Sequence, residues 1–123
     1  MYLINDKEYK CSVAVTLDIF NDRWKLAIIW HLLDGEKRFK ELNEIINEIT
    51  QKTLTIKLKE LEEKNIIHRE CFAQIPPKVE YSLTPIGKEL KPVLQEMHKW
   101  GISYVKNFGE ITYTNSCETN ICE

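Results

Sequence analysis

The spacing of apolar residues changes along the chain, and this change restricts the fold more than any other feature. In TLTIKLKEL the leucines Leu54, Leu58 and Leu61 recur at helical spacing. In VEYSL (79–83) apolar and polar residues alternate instead, which is typical of a half-buried strand. Helical spacing returns after Pro85. The sequence therefore predicts a set of helices that is interrupted by a short region of strand.

The predicted strand has a partner immediately before it. The segment IIHRECFA (66–73) has the length of a strand, and QIPPK (74–78) connects it to VEYSL. Proline has no N–H to donate to a β-ladder, so Pro76 and Pro77 mark the tip of a stiff hairpin. Such a hairpin after three helices has the form of the wing in a winged helix-turn-helix.

Four helices are predicted before the hairpin and one after it. The first four cover residues 12–20, 23–35, 38–46 and 50–64, and Thr50 is the expected N-cap of the fourth. The last begins at Thr84-Pro85, with threonine as its N-cap, and Pro92 is expected to kink or split it. This order predicts a mainly α (α+β) fold, a winged helix-turn-helix with flanking N- and C-terminal dimerisation helices.

The predicted elements divide the chain into a domain and a tail. A chain of 123 residues can build one domain with its own core, and residues 1–109 hold every predicted element. Residues 110–123 form a polar, acidic tail without periodicity, which is a candidate for disorder. The sequence shows neither an apolar run of membrane-spanning length nor a signal-peptide layout, so we expect a cytoplasmic protein with no membrane contact.

The fourth predicted helix has an unusual order of charges. Its lysines come first and its acids last, although a helix dipole favours the reverse. The second helix of a helix-turn-helix enters the major groove of DNA with its N-terminal part, where phosphates attract cations. The order therefore favours DNA as a partner. The alternative is a solvated helix face on which the charge order has no function.

Three segments of the chain resemble the HxlR-type transcriptional regulators. They are CSVAVTLDIFNDRWKLAIIWHLLDGEKRFKELNEII, LTIKLKELEEKNII and PPKVEYSLTPIGKEL, which together span about Cys11 to Trp100. The most specific parts are Trp24-Lys25, Arg38-Phe39 with Glu41-Leu42, and VEYSLTPIG. The resemblance implies a winged-helix protein that binds double-stranded DNA as a homodimer at a roughly palindromic operator.

The chain departs from the family pattern at the predicted DNA-binding helix. Residues 50–52 read Thr-Gln-Lys where Ser-Gln-Arg is usual, and Lys57 stands where arginine is common. Lysine lacks the planar fork of arginine, so bidentate contacts to guanine or phosphate are weakened. Ile56 replaces a polar residue and is either a contact for a thymine methyl group or an isolated apolar surface residue.

These patterns give a set of predicted DNA contacts. The residues expected to meet bases lie early in the fourth helix: Gln51, Lys52, Thr53, Thr55 and Ile56. The residues expected to hold phosphates are Lys57, Lys59, Arg38 and, at the wing, Lys78.

The terminal helices are predicted to form a dimer interface. The last helix has a heptad-like apolar stripe that exceeds the needs of one small domain, and the resemblance implies dimerisation through the terminal helices. The predicted interface residues are Val13, Leu17, Phe20, Leu94, Met97, Trp100, Gly101, Tyr104 and Phe108. The alternative is that the stripe packs only on its own domain.

Four cysteines are scattered along the chain. Cys11 follows Lys10 and precedes the first helix, a position that favours the thiolate, and the resemblance implies a sensor of oxidants, quinones or aldehydes there. The alternative is a buried, inert thiol. Cys71 is assigned to strand packing, and Cys117 and Cys122 are either resolving thiols or incidental tail residues. Their spacing predicts no metal site.

Other functional classes fit the sequence less well. No triad-like arrangement or glycine-rich phosphate loop is present, His31 is interpreted as a satisfied core histidine, and neither enzymatic activity nor a cofactor is expected. The net charge of −2 leaves one rival class, a winged-helix module that binds a protein partner instead of DNA. A regulator resembling the MarR group, with a pocket for a small-molecule effector, shares the same fold.

Overall fold

The computed structural model describes residues 1–110. Its helices are α1 (Ser12–Ile19), α2 (Arg23–Leu32), α3 (Phe39–Ile45), α4 (Gln51–Glu63), α5 (Pro85–Lys88) and α6 (Lys91–Phe108). Its strands are β1 (Tyr2–Ile4), β2 (Lys7–Tyr9), β3 (Lys37–Arg38), β4 (Ile67–Phe72) and β5 (Lys78–Leu83). The mixed α+β winged helix-turn-helix is confirmed. Cys117, Cys122 and all but the first residue of the predicted tail lie outside the described residues.

The wing is an antiparallel hairpin of β4 and β5. Its register pairs Ile67 with Leu83 at the base and Phe72 with Lys78 at the tip, so the predicted hairpin and its proline loop are confirmed. The short strand β3 adds to the other side of β5 and gives the order β3-β5-β4. Strand β3 was not predicted, because a two-residue strand has no period of its own: Arg38 was predicted as the start of a helix and Lys37 as the residue before it.

The core lies between α2, α3, α4 and the base of the wing. Its buried apolar residues are Ile28, Ile29, Leu32, Leu42, Ile46, Ile49, Leu54, Leu58, Leu61, Ile66, Ile67, Leu83 and Leu94. The leucine seam of α4, formed by Leu54, Leu58 and Leu61, is buried along its whole length. The predicted inner face of this helix is therefore confirmed.

Side-chain caps fix where two of these helices begin. The hydroxyl of Thr50 accepts a hydrogen bond from the backbone N–H of Thr53 at 3.1 Å, which begins α4 as predicted. The carboxylate of Asp22 accepts from the N–H of Trp24 at 2.8 Å and begins α2. Because these caps depend on neighbouring residues only, the sequence could predict the N-terminus of α4 closely.

The junction after the wing is held against the end of α4. Thr84 caps α5 by accepting from the N–H of Gly87 at 3.1 Å, and its hydroxyl lies 2.6 Å from the carbonyl oxygen of Asn65. A Cβ on Gly87 would lie 2.3 Å from the backbone oxygen of Ile66, so only glycine fits there. The predicted break near Pro92 is also confirmed, since separate helices α5 and α6 stand on either side of residues 89–90.

An N-terminal hairpin precedes α1 and was not predicted. Strands β1 and β2 pair around Asn5 and Asp6, whose φ angles of 47° and 66° form the tight turn. Asparagine and aspartate tolerate this left-handed conformation, so the dipeptide was a usable turn signal. The three-residue strands on either side are too short for a period to be recognised.

His31 is buried in α2, as the core interpretation required, but it is not satisfied. Only 6% of the residue is exposed, and among residues 1–110 its Nε2 atom has no hydrogen-bond partner. Burial, with a smaller effect from Lys37, holds the pKa of His31 below its usual 6.5. The folded protein therefore prefers the neutral imidazole.

Replacing His31 with leucine should raise the free energy of unfolding by about 1–3 kcal/mol, because the unpaired buried nitrogen is removed. The parent should also lose stability in acid. The unfolded chain takes up this proton at about pH 6.5, above the lowered pKa of the fold, so the contribution of His31 is complete above that pH and is lost as the pH falls. Urea unfolding above and below pH 6.5 measures both effects.

The exposed His68 provides the control, and His68→Gln should keep the pH dependence of the parent. An equally steep loss of stability in His31→Leu would contradict the assignment.

Candidate nucleic-acid interface

The second helix of the helix-turn-helix pair, α4, follows α3, and we call it the recognition helix. Its outer face exposes five of the residues that were predicted from the sequence: Gln51, Lys52, Thr55, Ile56 and Lys59. Thr53 is half-buried because it lies beside the Thr50 cap. Ile56 is 44% exposed, so it is not part of the core. The structure thus brings these side chains onto one surface.

Two threonines of the recognition helix already use their hydroxyl groups within the helix. Thr55 donates to the backbone oxygen of Gln51 at 2.8 Å, and the hydroxyl of Thr50 lies 2.9 Å from that of Thr53. Thr55 therefore presents an acceptor lone pair and a methyl group to a ligand, and its proton is occupied. This arrangement suits contact with a base donor or a thymine methyl group.

Lys57 points away from the exposed surface of the recognition helix. Its ammonium forms an ion pair with the carboxylate of Asp22, and both side chains are largely shielded. The hydrogen bond to Asp22 raises the pKa of Lys57. The contact argues against the phosphate role predicted for Lys57, because that role requires breaking the ion pair.

A second ion pair joins the recognition helix to α2. The Nζ atom of Lys25 lies 2.6 Å from Oε2 of Glu60, and only 8% of the Lys25 side chain is exposed. The hydrogen bond from Lys25 lowers the pKa of Glu60. Two charges of the recognition helix, Lys57 and Glu60, are therefore paired with α2 or its N-cap. Lys52 and Lys59 are exposed instead.

The wing carries less positive charge toward a ligand than the sequence predicted. Lys78 pairs with Glu80 at 2.6 Å and its ammonium lies 5.0 Å from the ring centre of Phe72. Arg38 is exposed beside the middle of the wing, opposite Glu80 in the β3–β5 register. Ile75 at the tip is fully exposed. The phosphate role of Lys78 therefore also competes with an internal ion pair.

The predicted dimer residues divide into two groups. Six are exposed: Val13, Leu17, Met97, Trp100, Tyr104 and Phe108. Trp100 stacks on Tyr104 with ring centres 5.3 Å apart, and Tyr104 contacts Phe108 at 5.0 Å. Gly101 is half-buried, with open space beside it.

Leu94 and Phe20 form the second group. Leu94 is 5% exposed and belongs to the core of its own domain, and Phe20 packs against that core. The interface prediction is revised for both. The N-terminal hairpin also exposes apolar side chains that were not predicted as part of the interface, those of Tyr2, Leu3 and Ile4.

The two cysteines within the described residues are both exposed. Cys11 is the N-cap residue of α1, which places its thiol at the surface and not in a buried site. Cys71 lies in β4 as predicted, but the packing role is wrong. The strand face that buries Ile67 at the base of the wing is uncovered toward the tip, where Cys71 pairs with Val79.

Comparisons with known proteins identify the family. Residues 19–108 match the family model for the HxlR-like helix-turn-helix. The chain belongs to this family. The HTH-type transcriptional regulator YdeP of Bacillus subtilis (strain 168) is 44% identical over 111 residues, which cover 90% of this chain and 87% of YdeP. The protein is therefore a transcriptional regulator with a helix-turn-helix.

Two solved structures share the fold at substantial sequence identity. The redox regulator HypR in its oxidised form is 48% identical, with a TM-score of 0.71, over 76% of this chain and 96% of HypR. The reduced form of the transcriptional regulator YodB from B. subtilis is 40% identical, with a TM-score of 0.70, over 78% of this chain and 95% of YodB.

In residues 1–110 no helix has the length and apolarity needed to cross a membrane.

The Lys25–Glu60 pair should respond unequally to the loss of its two members. Glu60→Ala leaves a buried ammonium unpaired and should lower the free energy of unfolding by about 2 kcal/mol, less than the loss for a fully buried pair because Glu60 is partly exposed. Lys25→Met removes the buried charge and should be nearly neutral. Urea unfolding of both variants and of the double variant measures the difference.

The double variant Lys25→Met/Glu60→Ala should regain most of the loss seen in Glu60→Ala. An exposed pair on α6, Lys99–Glu96 at 3.3 Å, provides the control, and Glu96→Ala should change little. Equal losses in both single Lys25–Glu60 variants would contradict the prediction.

Proposed function

We propose that this protein is a homodimeric, sequence-specific DNA-binding regulator that binds a palindromic operator and responds to oxidants or electrophiles through Cys11. One observation carries the proposal. The recognition helix exposes Gln51, Lys52, Thr55, Ile56 and Lys59 on its outer face, and its first nine residues contain no acid. A polar, weakly basic helix face of this kind is suited to the major groove.

The exposed side chains divide into base-reading and phosphate-binding groups. Gln51 can form two hydrogen bonds to adenine, and Ile56 can contact a thymine methyl group, so we propose an operator half-site that contains A·T pairs. Lys52 and Lys59 have no ion-pair partner among residues 1–110, and with Arg38 they are available to phosphates. Affinity then comes mainly from the three cations. Specificity comes from the contacts that Gln51 and Ile56 make with bases.

The exposed face of α6 supports a dimer. This helix has 18 residues, and only Leu94 of them is buried, near its N-terminal end. An isolated helical extension is marginal in water, and contiguous exposed apolar side chains mark an interaction site. We propose that a second copy of the chain covers this exposed stripe. Two-fold symmetry would then present two recognition helices to the two half-sites of a palindromic operator.

Trp100→Glu should convert the dimer to a monomer, because it places a charge on the exposed apolar stripe of α6. Gln95→Glu is the control, since it makes the same change in charge at an exposed position of the same helix. Analytical ultracentrifugation at several protein concentrations measures the result. A wild-type monomer, or a Trp100→Glu variant that remains dimeric, would contradict the proposed interface.

Cys11 is proposed to respond to oxidants because its thiol is exposed at the start of α1. The same helix exposes Val13 and Leu17, which belong to the proposed interface. Chemical change at Cys11 would tilt α1 in the dimer and alter the separation of the two recognition helices. The similarity to the redox regulator HypR supports this assignment.

DNA binding is tested by fluorescence anisotropy on a labelled fragment of the protein's own upstream DNA, beside a scrambled fragment, over a series of salt concentrations. Lys52→Met should reduce the slope of log affinity against log salt by about 0.9, the value for one phosphate contact. Lys57→Met is the matched lysine and should leave the slope unchanged, because Asp22 holds its ammonium. Equal slopes for wild type and Lys52→Met would overturn the assignment of Lys52.

The same titration with a thiol oxidant tests Cys11. Cys11→Ser should bind the fragment as the parent does and ignore the oxidant, since serine is a good N-cap and preserves α1. Specific binding that ignores the oxidant in the wild type would keep the DNA function and overturn the thiol response. A cleft of about 340 Å³ beside Gly35, Ser82 and Lys88 would then be the candidate effector site. Failure to bind any DNA would favour the interaction module.

A further inference from the structure

Three ion pairs connect the recognition helix to the part of the chain that precedes it, and we call them the ionic seam. They are Lys57–Asp22, Glu60–Lys25 and Lys64–Asp18. Lys57 and Glu60 of α4 and its C-cap residue Lys64 are spaced three and four residues apart, so they follow one face of the helix to its end. Their partners come from the N-cap of α2, from α2 itself and from α1. The seam therefore joins α4 to two different helices.

Asp18 differs from the other two partners because it also holds the N-terminal hairpin. Its Oδ2 atom accepts a 2.6 Å hydrogen bond from the hydroxyl of Tyr9, and its Oδ1 atom lies 3.2 Å from Nζ of Lys7. On the other side, Nζ of Lys64 lies 3.7 Å from Oδ2 and 3.4 Å from the backbone oxygen of Asp18. One carboxylate thus joins β2, α1 and the end of α4.

Cys11 lies in the segment between Tyr9 and Asp18, whose ends are joined by a hydrogen bond. The hydrogen bond between Tyr9 and Asp18 connects the end of β2 to the penultimate residue of α1, and Cys11 is the residue from which α1 begins. Cys11 is two residues from Tyr9, so a group added to its exposed thiol lies beside the junction between β2 and α1. Tyr9 and the last turn of α1 meet at Asp18, so a displacement of β2 relative to α1 acts on the contact with Lys64.

We propose that Asp18 is a positioning residue that transmits the state of the N-terminal hairpin and Cys11 to the C-terminal end of the recognition helix. The regulatory consequence rests on the proposed function, whereas the mechanical connection does not. Exposed ion pairs contribute little stability each, so the connection can be broken without unfolding the domain. The buried leucine seam keeps α4 in place while its last turn is released.

Amide hydrogen exchange of the full-length chain tests the connection directly. Tyr9→Phe removes one hydroxyl, whose hydrogen bond goes to Asp18 and not to α4, and should speed exchange at the amides of Lys64, Asn65 and Ile66 by about threefold or more. The amides of Ile28 and Ile29 in α2 should be unchanged. Asp18→Asn and Lys64→Met should reproduce the effect, and Lys64→Arg should restore slow exchange.

Glu96→Gln is the control, since it breaks an exposed lysine–acid pair on α6 that lies outside the seam. Unchanged exchange at residues 64–66 in folded Tyr9→Phe overturns the proposal. A uniform increase that includes Ile28 and Ile29 also overturns it, because it would indicate general destabilisation.

A second measurement separates this proposal from the proposed function. If wild-type protein binds its operator and loses affinity on oxidation, Tyr9→Phe should reduce the ratio of oxidised to reduced Kd by about threefold or more, a typical size for a coupling of this kind. An unchanged ratio overturns the transmission to DNA. If the wild type binds no DNA specifically, the proposed function fails, and hydrogen exchange still decides whether Asp18 connects the hairpin to α4.

Discussion

The packing of the leucine seam of α4 against α2 and the base of the wing is the interaction on which the rest of the structure depends. Burying a leucine side chain contributes about 1.5–3 kcal/mol, whereas an exposed ion pair contributes at most about 1 kcal/mol. Burial of Leu54, Leu58 and Leu61 therefore holds α4 against α2 and the wing, and it determines which face of α4 is turned outward. The ion pairs at its side adjust the rotation and the ends of the helix. The outer face is left free for a partner as a consequence.

The molecule separates two kinds of surface. The outer face of α4 is polar and weakly basic, whereas α1, α6 and the N-terminal hairpin expose apolar side chains. A helix of 18 residues with one buried side chain is poorly explained by a monomer, because its exposed stripe stays in contact with water. The proposed symmetric dimer would bury this stripe and would present two polar helix faces at a fixed distance, as a palindromic DNA site requires.

Five lysines of α2, α4 and the wing fall into two groups, paired and exposed. Lys25 and Lys57 are held in ion pairs that join α4 to α2 and to its N-cap, and Lys78 is held in an ion pair within β5. Lys52 and Lys59 project from α4. The net charge of −2 counts paired and exposed lysines together, so it does not report the charge of the α4 surface. A local basic surface is compatible with that total because acids neutralise the internal lysines.

The sequence by itself determined the helices of the core, the wing, the Thr50 cap and the break at Pro92, because periodicity, caps and proline act over a few residues. It did not determine β1, β2 and β3, which are too short to show a period. The tertiary structure decided the pairing of Lys57 with Asp22 and of Lys64 with Asp18, since these partners lie 35 and 46 residues apart in the chain. It also decided the exposure of Cys71 and the burial of Leu94, because the environment of a side chain depends on which distant element covers it.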